Sequence, residues 1–369
     1  MGLRRTQDAA IIGHRRWHIF HWFTASLGKL HLVATVGLVA AIIPALKAAG
    51  IPLRFAWTQY FEVYWLAFGV ESLFLALILY TVTFPSEALA WLNRDRRDWG
   101  DLPSQVESLK NAVASTVLPS AYLFVSLILV MSYNDVIATF RFDGSWDFKL
   151  NQADKLLLGG YTVSAISSRV LAASPTWIVP LMQVIYAALF PAVGCCIILI
   201  GLRCGRKRSM QFVGAIVTGY YLGLIIFFFV PATGPYILRP HSMPLPNVTI
   251  YVAQAGFIEK LAILHNRHLT LVGIDYYVAL PCLHITQPVI ILWFVRKWRP
   301  ISLIFSTFSI LLIPSILLLE EHYVVDLIGG IFIAILAIAM IDGTRLFVAP
   351  VETFGGGPHH NHSAAGCIT

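Results

Sequence analysis

Apolar residues in this chain fall in long uninterrupted runs, and polar residues collect between the runs rather than alternating within them. Stretches of about 20 residues with almost no charge recur at about 31–50, 61–84, 112–132, 177–201, 211–231, 277–295, 301–319 and 322–342. A helix needs that length to cross a bilayer core roughly 30 Å thick. Helix is the form lipid permits, because lipid offers no partners to open backbone groups. The pattern predicts an all-α, polytopic transmembrane bundle of about eight spans. The second run carries Glu62 and Glu71. A carboxylate inside a span is expected to turn toward the bundle interior or water, and a packed helix–helix hydrogen bond is the plain reading.

Two of the connections are long, about 133–176 and 232–276, and long connections are functional or disordered. Both carry bulky residues at intervals (Trp146, Phe148, Leu156, Leu157 and Tyr161; Tyr236, Leu238, Tyr251, Phe257 and Ile258). They are expected to form partial helices on the membrane surface, placed to roof a site. The segment 86–110, with Glu87, Trp91 and Leu92 before Asn93 to Arg97, reads as an interfacial amphipathic helix and a loop. After the last run comes a Gly-rich tail with His359, His360 and His362, expected to be flexible, its spacing unspecific for a metal. This divides the chain into an N-terminal region of three spans (1–135), a membrane core (136–345) and a tail (346–369).

Composition agrees with the runs: 57% of the residues are hydrophobic and 12% charged, against roughly 45–50% and 25% in soluble domains. The net charge of +7 does not point to nucleic acid, because Lys and Arg sit in short clusters between spans. Arg203, Arg206, Lys207 and Arg208 form one cluster, and Arg296, Lys297 and Arg299 another. Basic loops stay in the cytoplasm, so both termini are expected to be cytoplasmic and the two long connections outside. The five cysteines show no zinc or disulfide spacing and leave the redox compartment open. No signal-peptide pattern precedes the first span, which is expected to act as the insertion signal. There is no internal repeat, Walker loop or GxGxxG.

Chemistry concentrates at the outer ends of the last spans. In Glu320-Glu321-His322-Tyr323-Val324-Val325-Asp326, His322 and Asp326 are four residues apart, one helical turn, where a carboxylate can hydrogen-bond the ring, fix its tautomer and stabilise the imidazolium. The plain alternative is a structural pair at a helix entrance. Upstream, Leu280-Pro281-Cys282-Leu283-His284 opens the sixth run. By the topology above, His284 and His322 enter the membrane from the same side and at the same depth. A lone histidine there belongs to the core more often than to a reaction; the pair shifts that balance.

The pattern Pro-x-x-His (Pro281–His284), about forty residues before His-Tyr-x-x-Asp-x-x-x-Gly (His322–Gly330), resembles two motifs of the type-2 phosphatidic acid phosphatase superfamily. Within it, the chain is most similar to the inositol phosphorylceramide synthase branch, through Asp154 to Gly159, Pro231 to Tyr236 and Arg267. The resemblance covers roughly 140–345. It implies a covalent phosphohistidine on His322, oriented by Asp326, with His284 as general acid and base. It also implies a lipid phosphate donor and a lipid or polyol acceptor, with no metal or cofactor. The chain departs from the family at Cys282, where Ser is common, at Ile316, where an Arg stands six residues before the nucleophile, and at Ala232, the Lys position before Arg239-Pro240. Phosphate binding is then expected from Arg267, Arg239, Cys282 and His268, with His265 behind them. Head-group contacts are expected from Glu320, Glu321 and Tyr323. A transferase is the leading expectation, a lipid phosphatase the nearest rival, and a degenerate lipid-binding protein a third. A transporter fits less well, since no inverted repeat is present. The oligomeric state stays open.

Overall fold

The structure is a computed structural model that describes residues 33–48, 68–86, 89, 102–141, 144–239 and 278–342. It is all-helical, with no strand among the described residues. In chain order the helices are α1 (Val33–Ala48), α2 (Phe68–Thr83), α3 (Leu102–Arg141), α4 (Ser145–Leu157), α5 (Val163–Ala173), α6 (Ile178–Ala187) and α7 (Leu189–Phe229). A 3₁₀ turn at Pro235–Leu238 precedes α8 (Leu283–Val295), α9 (Arg299–Leu318) and α10 (Val324–Asp342).

Four helical stretches are long and apolar enough to cross a bilayer: Lys110–Ala138, Ile178–Phe229, Arg299–Leu318 and Val324–Asp342. The second of these cannot be one straight rod. Gly205 interrupts it at φ 75° and ψ 178°, a region open almost only to glycine. Beyond it, the Ser209 hydroxyl donates to the Ile197 carbonyl at 3.4 Å, although twelve residues of straight helix would separate them by about 18 Å. The chain therefore doubles back, and limbs 189–204 and 206–229 form the centre of the bundle. α2, α3, α8 and α10 pack around them. Phe74, Leu303, Ile310 and Phe332 point outward and exposed, as expected where lipid is the solvent.

The two basic turns lie at one end. Arg208 bonds Asp342 at 2.8 Å, the Trp293 indole N–H donates to the same carboxylate at 2.9 Å, and the Arg203 guanidinium lies over the rings of Phe84 and Trp298. At the opposite end the segments 231–239, 278–284 and 320–326 converge, joined by the Ala279 N–H to Ala232 carbonyl bond at 2.9 Å and the Cys282 N–H to Asp326 carbonyl bond at 3.0 Å.

Three expectations change. The third run is only the middle of α3, whose 40 residues extend about 60 Å, so the polar segments on either side of it contribute helical turns and the following connection begins near 142. Glu71 is exposed rather than turned inward. The sixth run becomes helical only at Leu283. Residues 278–282 instead form an irregular lead-in, which frees their carbonyls to bond across to neighbouring segments. Glu62, residues 90–101 and the His-rich tail lie outside the described residues.

Nothing would meet a Cβ at Gly205, so Gly205→Ala tests backbone strain alone. It should destabilise the protein by about 1–3 kcal/mol, read as a lower thermal midpoint in detergent. Gly214→Ala, on a helical limb with only the Ile341 side chain 3.8 Å away, should not. Equal midpoints for the two variants would contradict the reversal at Gly205.

Candidate active site

The converging segments are irregular, and irregular backbone buried in a bundle needs partners for its N–H groups. Helix α4 supplies them. Asp147 and Asp154 stand seven residues apart, two helical turns, so both face the bundle, and both are fully buried. Asp147 accepts from the Thr233 N–H (3.0 Å), the Gly234 N–H (2.9 Å) and the Tyr323 hydroxyl (3.2 Å). Asp154 accepts from the Val324 N–H (2.8 Å) and the Val325 N–H (3.0 Å). These are the open donors of the first turn of α10, where a carboxylate also meets the positive end of the helix dipole. Burial pushes both carboxyls up from their ordinary range, against the pull of these N–H donors, and Asp147 reaches about 7.

Held this way, the segments bring two histidines into contact. His284 Nδ1 lies 3.1 Å from His322 Nε2, and both residues are buried, at 4% and 2% exposure. His322 Nδ1 lies 2.8 Å from the Ala279 carbonyl, which can only accept, so Nδ1 carries the proton and Nε2 presents its lone pair. In the neutral pair His284 Nδ1–H then donates to that lone pair. Asp326 Oδ2 is 3.7 Å from His322 Nδ1, an ion-pair distance rather than a hydrogen bond. Its short bond is to the Tyr323 N–H, at 2.7 Å. The carboxylate thus fixes the turn carrying His322 and stabilises positive charge on the ring, while a backbone carbonyl sets the tautomer. Helix α10 starts at Val324, so His322 and Asp326 do not share a helical turn, and the expected side-chain bond is replaced by this arrangement. Tyr186 stacks on His284 with ring centroids 4.4 Å apart. The Cys282 thiol completes the group, and one ligating atom from each of Cys282, His284 and His322 lies within 4.8 Å of the others.

The family model of the PAP2 superfamily matches residues 152–340, a stretch that holds both histidines, Asp326 and Asp154. The chain belongs to the PAP2 superfamily. Members of this superfamily are generally enzymes acting on phosphate esters. Comparison with curated proteins and with solved structures gave no match.

Other residues singled out from the sequence have different surroundings. Arg239 is buried, its Nε bonded to Glu320 Oε2 at 3.0 Å, and Ser164 donates to the same oxygen at 3.0 Å. Glu320, expected at a head group, is thus committed to Arg239 and Ser164. Its backbone sits at φ 60°, a strained conformation for glutamate. Tyr323, also expected at a head group, is fully buried, with its hydroxyl turned to Asp147. Glu321 borders the Pro231–Tyr236 loop, and its N–H is bonded to the Ile316 carbonyl. Ile316 is buried in the apolar core, so no cation replaces the absent arginine there. Arg267, His268 and His265 lie outside the described residues. Asp147 was missed in the sequence because its meaning depends on loops far along the chain. Its one signal was a charge on an otherwise amphipathic surface helix.

Because the folded Asp147 carboxyl titrates near 7 rather than 3.8, the native state keeps a proton that the unfolded chain has already lost between those values. Its contribution is therefore greatest at low pH, declines as pH rises through that window, and levels off above about 7. The upper limit is of order 4 kcal/mol. Asp147→Asn resembles the protonated form and should abolish that part of the slope of thermal midpoint against pH. Parallel curves for the variant and the unmodified protein would contradict the assignment.

Proposed function

We propose that the chain is a membrane phosphotransferase that moves a phosphate-linked head group from a lipid donor to a hydroxyl acceptor through a phosphohistidine on His322. The observation that carries this reading is the buried 3.1 Å contact between His284 and His322, with the nucleophilic lone pair on Nε2. In the first half-reaction, with His284 as the imidazolium, Nε2 of His322 attacks phosphorus, the bond from phosphorus to the lipid oxygen breaks, and His284 gives one of its two protons to that oxygen and becomes neutral. In the second, His284 takes the proton of the acceptor hydroxyl, its oxygen bonds phosphorus, and the nitrogen–phosphorus bond breaks. In-line displacement puts the entering and leaving atoms on opposite sides of phosphorus, so substrate must part the two rings before reaction. Asp326 stabilises the imidazolium character that builds on His322 as it attacks.

Charge supports a phosphodiester donor. Among the described residues Arg239 is already neutralised by Glu320, and an isoleucine stands where a second arginine is common. A site with little spare positive charge suits a singly charged diester, such as a phosphoinositol or other polyol phosphate, better than a doubly charged monoester. The near-complete enclosure of the histidines favours a lipid acceptor over bulk water. Hydrolysis is the outcome expected if water enters the opened site instead. Arg267 and His268 are the further phosphate contacts in this reading. We place the site at the outer membrane face, beneath α4 and α5, with eight spans, a core of about 136–345 and cytoplasmic termini, on the rule that the basic turns 203–208 and 296–299 stay inside.

Purified full-length protein incubated with labelled phosphodiester lipids and candidate acceptors, with products identified by mass spectrometry, separates transferase, hydrolase and inert binder. His322→Ala should abolish turnover and any trapped phosphoenzyme. His284→Ala should still form the phosphoenzyme from an activated nitrophenyl phosphodiester, which needs little protonation, and should accumulate it because no base activates the acceptor. A phosphoenzyme in His322→Ala, or none in His284→Ala with that donor, would overturn the roles. For topology, a membrane-impermeant thiol label should reach cysteines placed at 144–175 from outside only. Labelling of 203–208 from outside would invert the orientation.

A further inference from the structure

In the proposed phosphotransfer Cys282 moves no proton and attacks no phosphorus, and its one expected part is a phosphate contact. A thiol is a poorer donor to a phosphate oxygen than a hydroxyl, yet it is the best side chain for holding a soft or borderline metal ion. Here it is buried beside two imidazoles, with one ligating atom from each residue within 4.8 Å of the others. The rings are already spaced for a common ion. Two nitrogens bound tetrahedrally at about 2.0–2.1 Å stand roughly 3.3 Å apart, and His284 Nδ1 and His322 Nε2 are 3.1 Å apart. A metal-bound imidazole also needs its other nitrogen oriented, and the usual device is an N–H donated to a backbone carbonyl or carboxylate. His322 has it, with Nδ1 at 2.8 Å from the Ala279 carbonyl and Asp326 behind at 3.7 Å.

We infer that Cys282, His284 and His322 form a binding site for a thiophilic divalent cation such as Zn²⁺, and that its occupation switches the enzyme off. On binding, the thiol loses its proton to water and the sulfur–metal bond forms. The proton on His284 Nδ1 transfers through solvent to Nε2 of the same ring, so each histidine offers a lone pair, and one proton is released per ion. The fourth position is left for water. Inhibition follows because the lone pair of His322 that would attack phosphorus is the one the metal takes. Binding stands apart from the proposed reaction, whereas inhibition rests on it.

Full-length protein in detergent, stripped with a chelator, is titrated with Co²⁺ as a spectroscopic stand-in. One ion per chain should bind with a thiolate-to-cobalt charge-transfer band and the visible bands of a four-coordinate ion, and Zn²⁺ should displace it. Cys282→Ser should remove the charge-transfer band. His284→Ala and His322→Ala should each weaken binding by about tenfold or more, at least what losing an outer partner costs. Cys195→Ala, Cys196→Ala and Cys367→Ser should leave the band in place. On the unmodified protein, X-ray absorption of the zinc-loaded form should show one sulfur and two imidazoles, which needs no variant to fold. No charge-transfer band, a band that survives Cys282→Ser or vanishes with Cys367→Ser, or a shell without sulfur would each overturn the site. Turnover of the chelator-treated protein is measured separately. Turnover of the chelator-treated protein that Zn²⁺ abolishes is the expected result; turnover without metal binding, or turnover that a bound ion leaves unchanged, would overturn this inference alone, and metal binding without turnover would overturn the proposed reaction and the inhibition that rests on it while leaving the site.

Discussion

Two carboxylates on one face of a surface helix hold this site together. Asp147 and Asp154 reach from α4 to five donors on the loop after α7, on Tyr323 and on the first turn of α10. Without them, four N–H groups of the buried loops and first helical turn would lose the acceptor that α4 brings, at about 1–3 kcal/mol for each left unsatisfied. The arrangement has an electrostatic cost. No cation is bonded to either carboxyl among the described residues, so burial raises their affinity for protons. The structure tolerates this because a protonated Asp147 keeps its N–H bonds, with one oxygen accepting from the Thr233 and Gly234 N–H groups while the other meets the Thr233 hydroxyl at 3.4 Å. α4 therefore acts as a clamp over the loops that carry His322 and lead into His284.

A second constraint is close approach. Gly330 on α10 lies against the Cys282 carbonyl so tightly that a Cβ would collide with it. The Thr286 hydroxyl donates to the Gly330 carbonyl at 2.9 Å. That contact brings the start of α8 within reach of the start of α10. The spacing of the histidines thus follows from packing at one glycine as much as from the histidines themselves. It also explains the glycine four residues beyond Asp326: the position is set by helix contact, while the chemistry lies at the preceding turn.

Much of this was legible along the chain. The apolar runs marked the helices from 178 to 342, and the cluster at 203–208 marked the reversal that Gly205 makes. His284, His322 and Asp326 stood out because ionisable groups are rare at the ends of spans, and the structure brings them together. The partners of His322 were not legible. Four-residue spacing suggested a helical His–Asp bond, but α10 begins two residues later, and the Ala279 carbonyl takes the place of the carboxylate. Tyr323 and Glu320 looked available because they flank His322, yet sequence adjacency does not say which way a turn points its side chains. Their partners, Asp147, Ser164 and Arg239, lie 81 to 176 residues away. Long-range polar pairing of that kind leaves no local period to read.

The closed contact between the histidines bears on how such a site can be both reactive and quiet. A lone pair aimed at a donated N–H is neither solvated nor free to attack, so in the proposed reaction the contact between the rings holds Nε2 of His322 satisfied until substrate parts them. Parting the rings costs that hydrogen bond, about 0.5–1.5 kcal/mol net, and a bound phosphate returns it by accepting from His284. Any ligand able to replace the shared proton competes for the same state, and with Cys282 alongside, that competitor is a metal ion as readily as a phosphate. One substitution, a thiol where the family commonly has a hydroxyl, leaves the geometry of the pair intact and widens the set of ligands that can open it.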